Sequence, residues 1–253
     1  MRPLVVDLDG TLVVTDMLHE TAISLIKSSP FTILSAPIIL ISNGKAKLKQ
    51  WIAEKTNFEP ASLPYNQDFI LWLREQKALG RELILCTASD RSIALQISDY
   101  LGIFSDVMAS DGIVNLEGKY KAKALVDKFG ERGFDYAGNS RTDLEVWRHA
   151  CKAIVVNASN HVLGKATKFS TVEKVFDRSA ANFIVWGKAL RIHQWLKNAL
   201  LFVPFLAAHR LTEAIAWQSL SLAYLAFSLC ASSVYIANDL LDMESDRQHP
   251  RKC

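Results

Sequence analysis

The chain has 253 residues, half of them hydrophobic and 22% charged, which excludes wholesale disorder and leaves room for one large domain or two small ones. Its 29 Lys and Arg against 26 Asp and Glu leave a formal charge of +3, too balanced for a dedicated nucleic-acid binder. Four scattered cysteines (Cys86, Cys151, Cys230, Cys253) show neither metal spacing nor a disulfide framework and fit a reducing compartment.

Leu4–Leu8 is a short apolar run that stops at acids and Gly10, the signature of a buried strand. Only Arg2 precedes it, and Asp7 and Asp9 interrupt it, so the N-terminus does not read as a signal peptide and the first domain is expected in the cytoplasm. Asp16–Ser28 has helical spacing, with Leu18, Ala22, Leu25 and Ile26 on one face. Pro30–Ile41 and Gly44–Lys55 break the pattern and read as an inserted helical cap, about residues 16–65. The insert is either ordinarily packed or, because Lys45, Lys47, Lys49 and Trp51 form a basic amphipathic face, in contact with a membrane.

From there strand and helix alternate. Gln67–Leu79 is a helix closed by Gly80, Glu82–Cys86 a strand, and Ser89–Leu101 a helix stopped by Gly102. Ile103–Met108 is short and apolar, and Lys119–Phe129 is a helix stopped by Gly130. Phe134–Ala137 is a strand, Arg141–Ala150 a helix and Ala153–Val156 a strand. The alternation predicts an α/β domain with a Rossmann-like parallel sheet, over residues 1–178, whose ligands sit at the carboxyl ends of the strands.

The charge balance then shifts. Residues 1–181 carry 22 basic and 21 acidic side chains, and residues 182–253 carry 7 and 5. Ala214–Ala237 has no charge over 24 residues. As a helix it is about 36 Å long, enough to cross a bilayer core of about 30 Å. A second span, about 183–208, includes Lys188, Arg191 and Lys197 at one interface, with Trp186 and Trp195 as anchors. The expectation is a transmembrane hairpin (about 183–208 and 214–237) turning at His209–Glu213, with both ends cytoplasmic by the positive-inside rule.

Asp7-Leu8-Asp9-Gly10-Thr11-Leu12 places two acids two residues apart at a strand end, so that one can attack while the other manages protons. This hexapeptide resembles the first motif of the haloacid dehalogenase (HAD) superfamily. Later matches follow in that family's order. Thr87 ends an apolar strand; Lys121 fits better than its competitors Lys119 and Lys123; and Gly138-Asn139-Ser140-Arg141-Thr142-Asp143 stands where two acids are usual, with Asn139 in place of the first. The resemblance implies a Mg²⁺-dependent phosphatase. In it Asp7 is the nucleophile of an aspartyl-phosphate, Asp9 the proton carrier, and Thr87 and Lys121 hold the phosphoryl oxygens. Mg²⁺ would sit among Asp7, the carbonyl of Asp9, Asn139 and Asp143. Asn139 removes a negative charge, and the alternative is a catalytically retired binding or regulatory module. Asp16 and Asp90 read as helix caps or solvated acids, Ser89 as a cap or a phosphate contact, His19, His149 and His161 as ordinary surface or core residues, and Cys86 as core.

After the apolar run, Asn238, Asp242 and Asp246 recur every four residues, with Asp239 three before Asp242. They share one helix face, where carboxylates repel unless cations fill the gap. The stretch resembles the first aspartate-rich motif of the UbiA-type prenyltransferase superfamily. Gln194, Trp195, Lys197 and Asn198, with Pro204, resemble the first helix of its polyprenyl-phosphate phosphoribosyltransferase branch. That implies Mg²⁺–diphosphate binding by Asn238, Asp239, Asp242 and Asp246, phosphate contacts from Lys197 and Arg247, and phosphoribosyl pyrophosphate and a polyprenyl phosphate as substrates. Only the first two helices of such a bundle fit between residue 179 and Cys253, so either the chain is a fragment of a longer fusion, which is the expectation, or its tail is a remnant anchor. The expected whole is a multi-pass cell-membrane protein whose cytoplasmic domain acts on a phosphorylated small molecule or a lipid-linked sugar phosphate.

Overall fold

The computed structural model describes all residues except 57, 112–114, 178–182, 209–212 and 249–253; for 45, 183–184 and 243–248 it describes the backbone alone. The chain divides into two compact units, Met1–Ser179 and Ala180–Cys253.

The first unit is built on six parallel strands: β1 (Leu4–Val6), β2 (Leu83–Asp90), β3 (Asp106–Ser110), β4 (Asp135–Gly138), β5 (Lys152–Val156) and β6 (Thr171–Phe176). Their order is β3-β2-β1-β4-β5-β6. The first strand made is therefore central, with Leu4 opposite Leu83 on one side and Asp135 on the other. The sheet bears out the expected HAD-type, Rossmann-like α/β architecture.

Seven helices cover the two faces: α1 (Met17–Ser28), α2 (Ala36–Lys55), α3 (Gln67–Ala78), α4 (Arg91–Leu101), α5 (Lys119–Phe129), α6 (Asp143–Trp147) and α7 (Asn160–Phe169). Side chains alternate across a strand, so Leu4 and Val6 pack with Met17, Phe69 and Ile97, while Val5 packs with Leu125, Phe134 and Trp147. Asp16, Asn66, Asp90 and Ser159 cap α1, α3, α4 and α7 by accepting from early helix amides. Cys86 is core, its thiol pushed up to about 12 by burial.

Opposite the loop end of the sheet, Arg81 is buried and bridges Asp135 at 2.5 Å and Glu173 at 3.1 Å; Lys152 reaches Glu173 at 3.3 Å. Burial raises Glu173, but Arg81 and Lys152 outweigh it and hold the carboxyl below its ordinary range.

The insert is helical, as expected, and bends at Gly44, whose φ of 80° lies in the left-handed region. It does not present one basic face: Lys49 turns inward and donates to the Ala88 carbonyl at 2.9 Å. Phe31, Leu34, Ile38 and Ile41 are exposed in a stripe at helical spacing.

The second unit departs from two continuous spans. The first expected span is broken into α8 (Phe183–Ala189), a 3₁₀ turn at Ile192–Gln194, α9 (Trp195–Asn198), a 3₁₀ turn at Ala199–Phe202 and α10 (Val203–Ala207). Two causes are local. Arg191 has a φ of 50°, which ends a right-handed helix, and Pro204 at the start of α10 has no amide to donate backward. The expected turn at 209–212 lies outside the described residues. The last helix, α11 (Ala214–Gln248), contains Ala214–Asp242, which is long and apolar enough to cross a membrane.

Candidate active site

The loops leaving β1 and β4 close on each other. The Asp7 amide donates to the Ala137 carbonyl at 3.0 Å. Gly10 has a φ of 73°, and a Cβ there would stand 2.0 Å from Asn139 Nδ2, so only glycine allows this approach. A cavity of about 360 Å³ opens above, bordered by Asp7, Asp9, Lys49, Lys121, Asn139 and Asp143.

Asp7, Lys121, Tyr136 and Asp143 form one buried chain. Lys121 Nζ donates to Asp7 Oδ1 at 2.6 Å and to the Tyr136 hydroxyl at 3.1 Å; that hydroxyl donates to Asp143 Oδ1 at 2.7 Å. Burial pushes the Asp7 carboxyl up to about 7; Lys121 opposes the rise, and Asp143 and Asp9 add to it. Burial alone would lower the Lys121 ammonium, but Asp7 and Asp143 outweigh it and keep it charged. Burial raises Tyr136 well above its ordinary value, Asp143 and Asp7 reinforce this, and the phenol stays a donor.

Asp9 is fixed from three sides. Met17 N donates to Oδ1 at 2.7 Å, while Ser89 Oγ and Thr87 Oγ1 donate to Oδ2 at 2.7 and 3.4 Å. Burial raises its carboxyl, and the Met17 and Ser89 hydrogen bonds oppose the rise. Thr87 is fully buried, and its oxygen accepts from Ser89 N at 2.9 Å, so it braces Asp9 from beneath the cavity wall.

The four expected metal positions do not behave alike. Asp143 Oδ2 accepts from Asn139 N, Ser140 N and Ser140 Oγ at 3.1, 2.9 and 2.7 Å, so both its oxygens already organise the loop. Asp9 is likewise engaged. Among the described residues no donor reaches Asp7 Oδ2 or the Asn139 side-chain oxygen. Thr15 also borders this cavity, and its Oγ1 is buried with no hydrogen-bond partner among the described residues. These oxygens fit a hard cation that keeps several waters, as Mg²⁺ does, rather than a cage of protein ligands. Among the described residues no three His, Cys, Asp or Glu groups gather to hold a metal by themselves.

Sequence reasoning missed Tyr136 and the inward turn of Lys49. Of the three candidate lysines, Lys121 alone is buried; Lys119 and Lys123 are exposed.

In the second unit, Asn238, Asp239 and Asp242 lie on α11. Asn238 Nδ2 donates to Asp242 Oδ2 at 3.0 Å. Asp239 pairs with Arg191 at 2.6 Å, and the guanidinium stacks 4.7 Å from the Tyr235 ring. Lys197 borders a small cavity of about 50 Å³ with Arg191, Asn198 and Tyr235. Trp195 and Asn198 donate to Ser232 and Ser228 at 3.0 and 2.9 Å, which ties the broken segment to α11. The side chains of Asp246 and Arg247 lie outside the described residues.

No family model matches the chain. It is 36% identical over 251 residues, 99% of its length, to "Uncharacterized protein y4nM" of Sinorhizobium fredii, of which this covers 48%. Its C-terminal region is 40% identical over 85 residues to the decaprenyl-phosphate phosphoribosyltransferase of Mycobacterium tuberculosis, 32% of this chain and 28% of that enzyme. The chain thus spans about half the length of the first relative and under a third of the second. In fold, the first unit is similar to a protein of unknown function from Bordetella pertussis Tohama I, with a TM-score of 0.53, 14% identity, and coverage of 70% of this chain and 99% of that one. An apo phosphoserine phosphatase is also similar, with a TM-score of 0.48, 12% identity, and coverage of 70% and 94%.

Proposed function

We propose that the first unit is a Mg²⁺-dependent phosphohydrolase working through an aspartyl-phosphate. The observation that carries this is the convergence of Asp7 and Asp9, from the loop after β1, and Lys121, from α5, on one cavity at the carboxyl end of the sheet. A carboxylate oxygen of Asp7 attacks phosphorus, and the ester P–O bond breaks. Asp9, held by Met17 and Ser89, gives the leaving oxygen its proton. It then takes a proton from the water that attacks the phosphoryl group and releases phosphate. Lys121 orients Asp7 and offsets charge on the phosphoryl oxygens, while Tyr136 keeps Lys121 and Asp143 apart at fixed distances. Thr87 is proposed to steady Asp9 and, when phosphate enters, to meet one of its oxygens. Asp7, the Asp9 carbonyl and Asn139 would hold Mg²⁺, with Asp143 presenting the Asn139 loop; the ion supplies positive charge between carboxylate and phosphate.

The second unit is proposed to begin a UbiA-type membrane domain. Asn238, Asp239, Asp242 and Asp246 would hold Mg²⁺ and the diphosphate of phosphoribosyl pyrophosphate, with Lys197 and Arg247 on phosphate and a polyprenyl phosphate as acceptor. The partial likeness to the mycobacterial transferase supports this reading. The whole protein would then be multi-pass in the cell membrane with the phosphatase in the cytoplasm, acting on a phosphorylated small molecule or a lipid-linked sugar phosphate.

Asn139 favours a second reading, a HAD-like module that binds phosphate without turnover. Phosphate release from an aryl phosphate and ribose 5-phosphate by the full chain, with and without Mg²⁺, separates the two. Mg²⁺-dependent release that Asp7→Asn abolishes supports the phosphatase. A folded protein that binds these compounds and releases nothing supports the module.

A further inference from the structure

The insert carries a surface that the catalytic cavity does not use. Thr32–Gly44 is an apolar helical stretch of 13 residues. At about 1.5 Å per residue it is about 20 Å long, too short for a bilayer core of about 30 Å. An apolar run of that length is usually a buried helix or one lying in a membrane interface. Burial does not account for it, since no side chain from 26 to 44 is buried. Phe31, Leu34, Ile38 and Ile41 are exposed by 84, 70, 69 and 87%, and their spacing of three, four and three residues sets them on one helical stripe.

The bend at Gly44 divides α2 by environment. After it, Ile52 is buried, Ala53 packs against the core, and Lys49 reaches the Ala88 carbonyl at 2.9 Å. Before it, no side chain of Phe31–Asn43 joins the core. An exposed apolar patch on a limb of this kind marks an interaction surface.

Two features fit the stripe to lipid rather than to another protein. The polar groups around it need little from water: the hydroxyls of Ser28, Ser35 and Ser42 donate to the Leu25, Thr32 and Ile38 carbonyls at 3.3, 2.7 and 2.8 Å. The charges around it are of one sign. Between Glu20 and Glu54 the sequence has four lysines, Lys27, Lys45, Lys47 and Lys49, and no acid. Lys27 precedes the stripe, and Lys45 and Lys47 follow it. A second copy laid on the stripe would set lysines against lysines with no carboxylate to answer them. An anionic lipid surface supplies the missing negative charge, and its acyl boundary takes up the apolar side chains. The same chain holds Ala214–Asp242, long and apolar enough to cross a membrane, so a bilayer is at hand.

We propose that the Phe31–Ile41 stripe of the insert docks in the interface of a membrane containing anionic lipid. The limb lies flat, its apolar side chains among the headgroups and upper acyl chains, and the exposed Lys47 meets lipid phosphate. This docking is independent of the phosphatase reading.

The test uses the full chain in lipid nanodiscs, one chain per disc. A nitroxide-bearing amino acid is placed in turn at Phe31, Leu34, Ile38 and Ile41. Its collisions with oxygen and with a water-soluble nickel chelate are compared by electron paramagnetic resonance. In discs containing phosphatidylglycerol, the oxygen-to-nickel ratio at these positions is expected to exceed that at the exposed Leu79 at least fivefold. The excess should shrink severalfold in phosphatidylcholine alone and in Lys45→Glu/Lys47→Glu, and Leu34→Glu should remove it at Ile38. Water-like ratios at all four positions in both lipids overturn the proposal, and so does an excess that is equal in the two lipids. Exclusion of both reagents marks cover by protein and overturns it, as does protection that requires two chains per disc. A label at the exposed Leu222 of α11 reports the span separately. An oxygen-favoured Leu222 beside a water-like stripe leaves the membrane domain standing and removes the docking alone. The reverse pattern upholds the docking and removes the span.

Discussion

The sheet carries a charge cluster at each end, and the two are built on opposite terms. At the amino ends of the strands, Arg81 and Lys152 face Asp135 and Glu173, two charges against two. There the cations prevail over burial, and Glu173 is held below its ordinary range. At the carboxyl ends, Asp7, Asp9 and Asp143 gather around Lys121, and burial prevails, with the Asp7 carboxyl lifted to about 7. A balanced cluster needs nothing from outside. An unbalanced one, kept in an otherwise well-packed domain, marks a candidate site, which the proposed cation and phosphoryl group would complete. β4 joins them, with Asp135 at one end and the Asn139 loop at the other.

The largest break in this contrast should come from Asp7→Asn. Phosphate release is expected to fall by at least about a thousandfold, as for other nucleophile deletions, while thermal unfolding stays put or shifts upward because one excess carboxylate is gone. Unfolding below the wild-type temperature would show that Asp7 is a structural anion like Asp135. Next comes Arg81→Met, which strands two carboxylates at the balanced end. Urea unfolding should show a loss of about 3–5 kcal/mol, the usual result of removing one partner from a buried pair.

Titration should separate the two ends by sign. A folded Asp7 near 7 binds its proton more tightly than in the unfolded chain, where it titrates near 3.8. Stability measured without divalent cations should therefore decline as pH rises from about 4 to 7, and Asp7→Asn should flatten that decline. Glu173, depressed in the fold, acts the other way: its stabilisation is present above its unfolded pKa and disappears as pH falls through the folded one. An Arg81→Met variant should lose that acid-side component. The smallest effect is expected at Lys128→Ala. Its pair with Asp106 is exposed, and the change should stay within about 0.5 kcal/mol.

Much of the first unit is legible because parallel strands buried on both faces read as plain apolar runs; Leu4–Val6 and Lys152–Val156 are found where such runs stand. Helix phase also picks out Lys121, since it shares a buried face with Ala122 and Leu125. β6 escapes notice because it is an edge strand whose exposed Glu173 and Lys174 dilute the pattern. Tyr136 looks like one more strand aromatic until Lys121 and Asp143 are placed beside its hydroxyl. Lys49 lies 39 residues before Ala88, and no local pattern announces a contact of that reach. The first membrane span reads as continuous by composition, yet Arg191 and Pro204 divide it through backbone geometry that a hydropathy count does not weigh.

The central position of β1 bears on how the protein is made. Leu4–Val6 is synthesised well before its neighbours, which begin at Leu83 and Asp135. At a ribosomal pace of about 5–20 residues per second, roughly 4–15 s pass before β2 exists to receive it. Until then β1 has no partner strand, and Asp7 beside it has neither Lys121 nor the Asn139 loop. Translation that stalls before Asp135 would leave a chain with an open sheet centre, a ready target for chaperones and proteases.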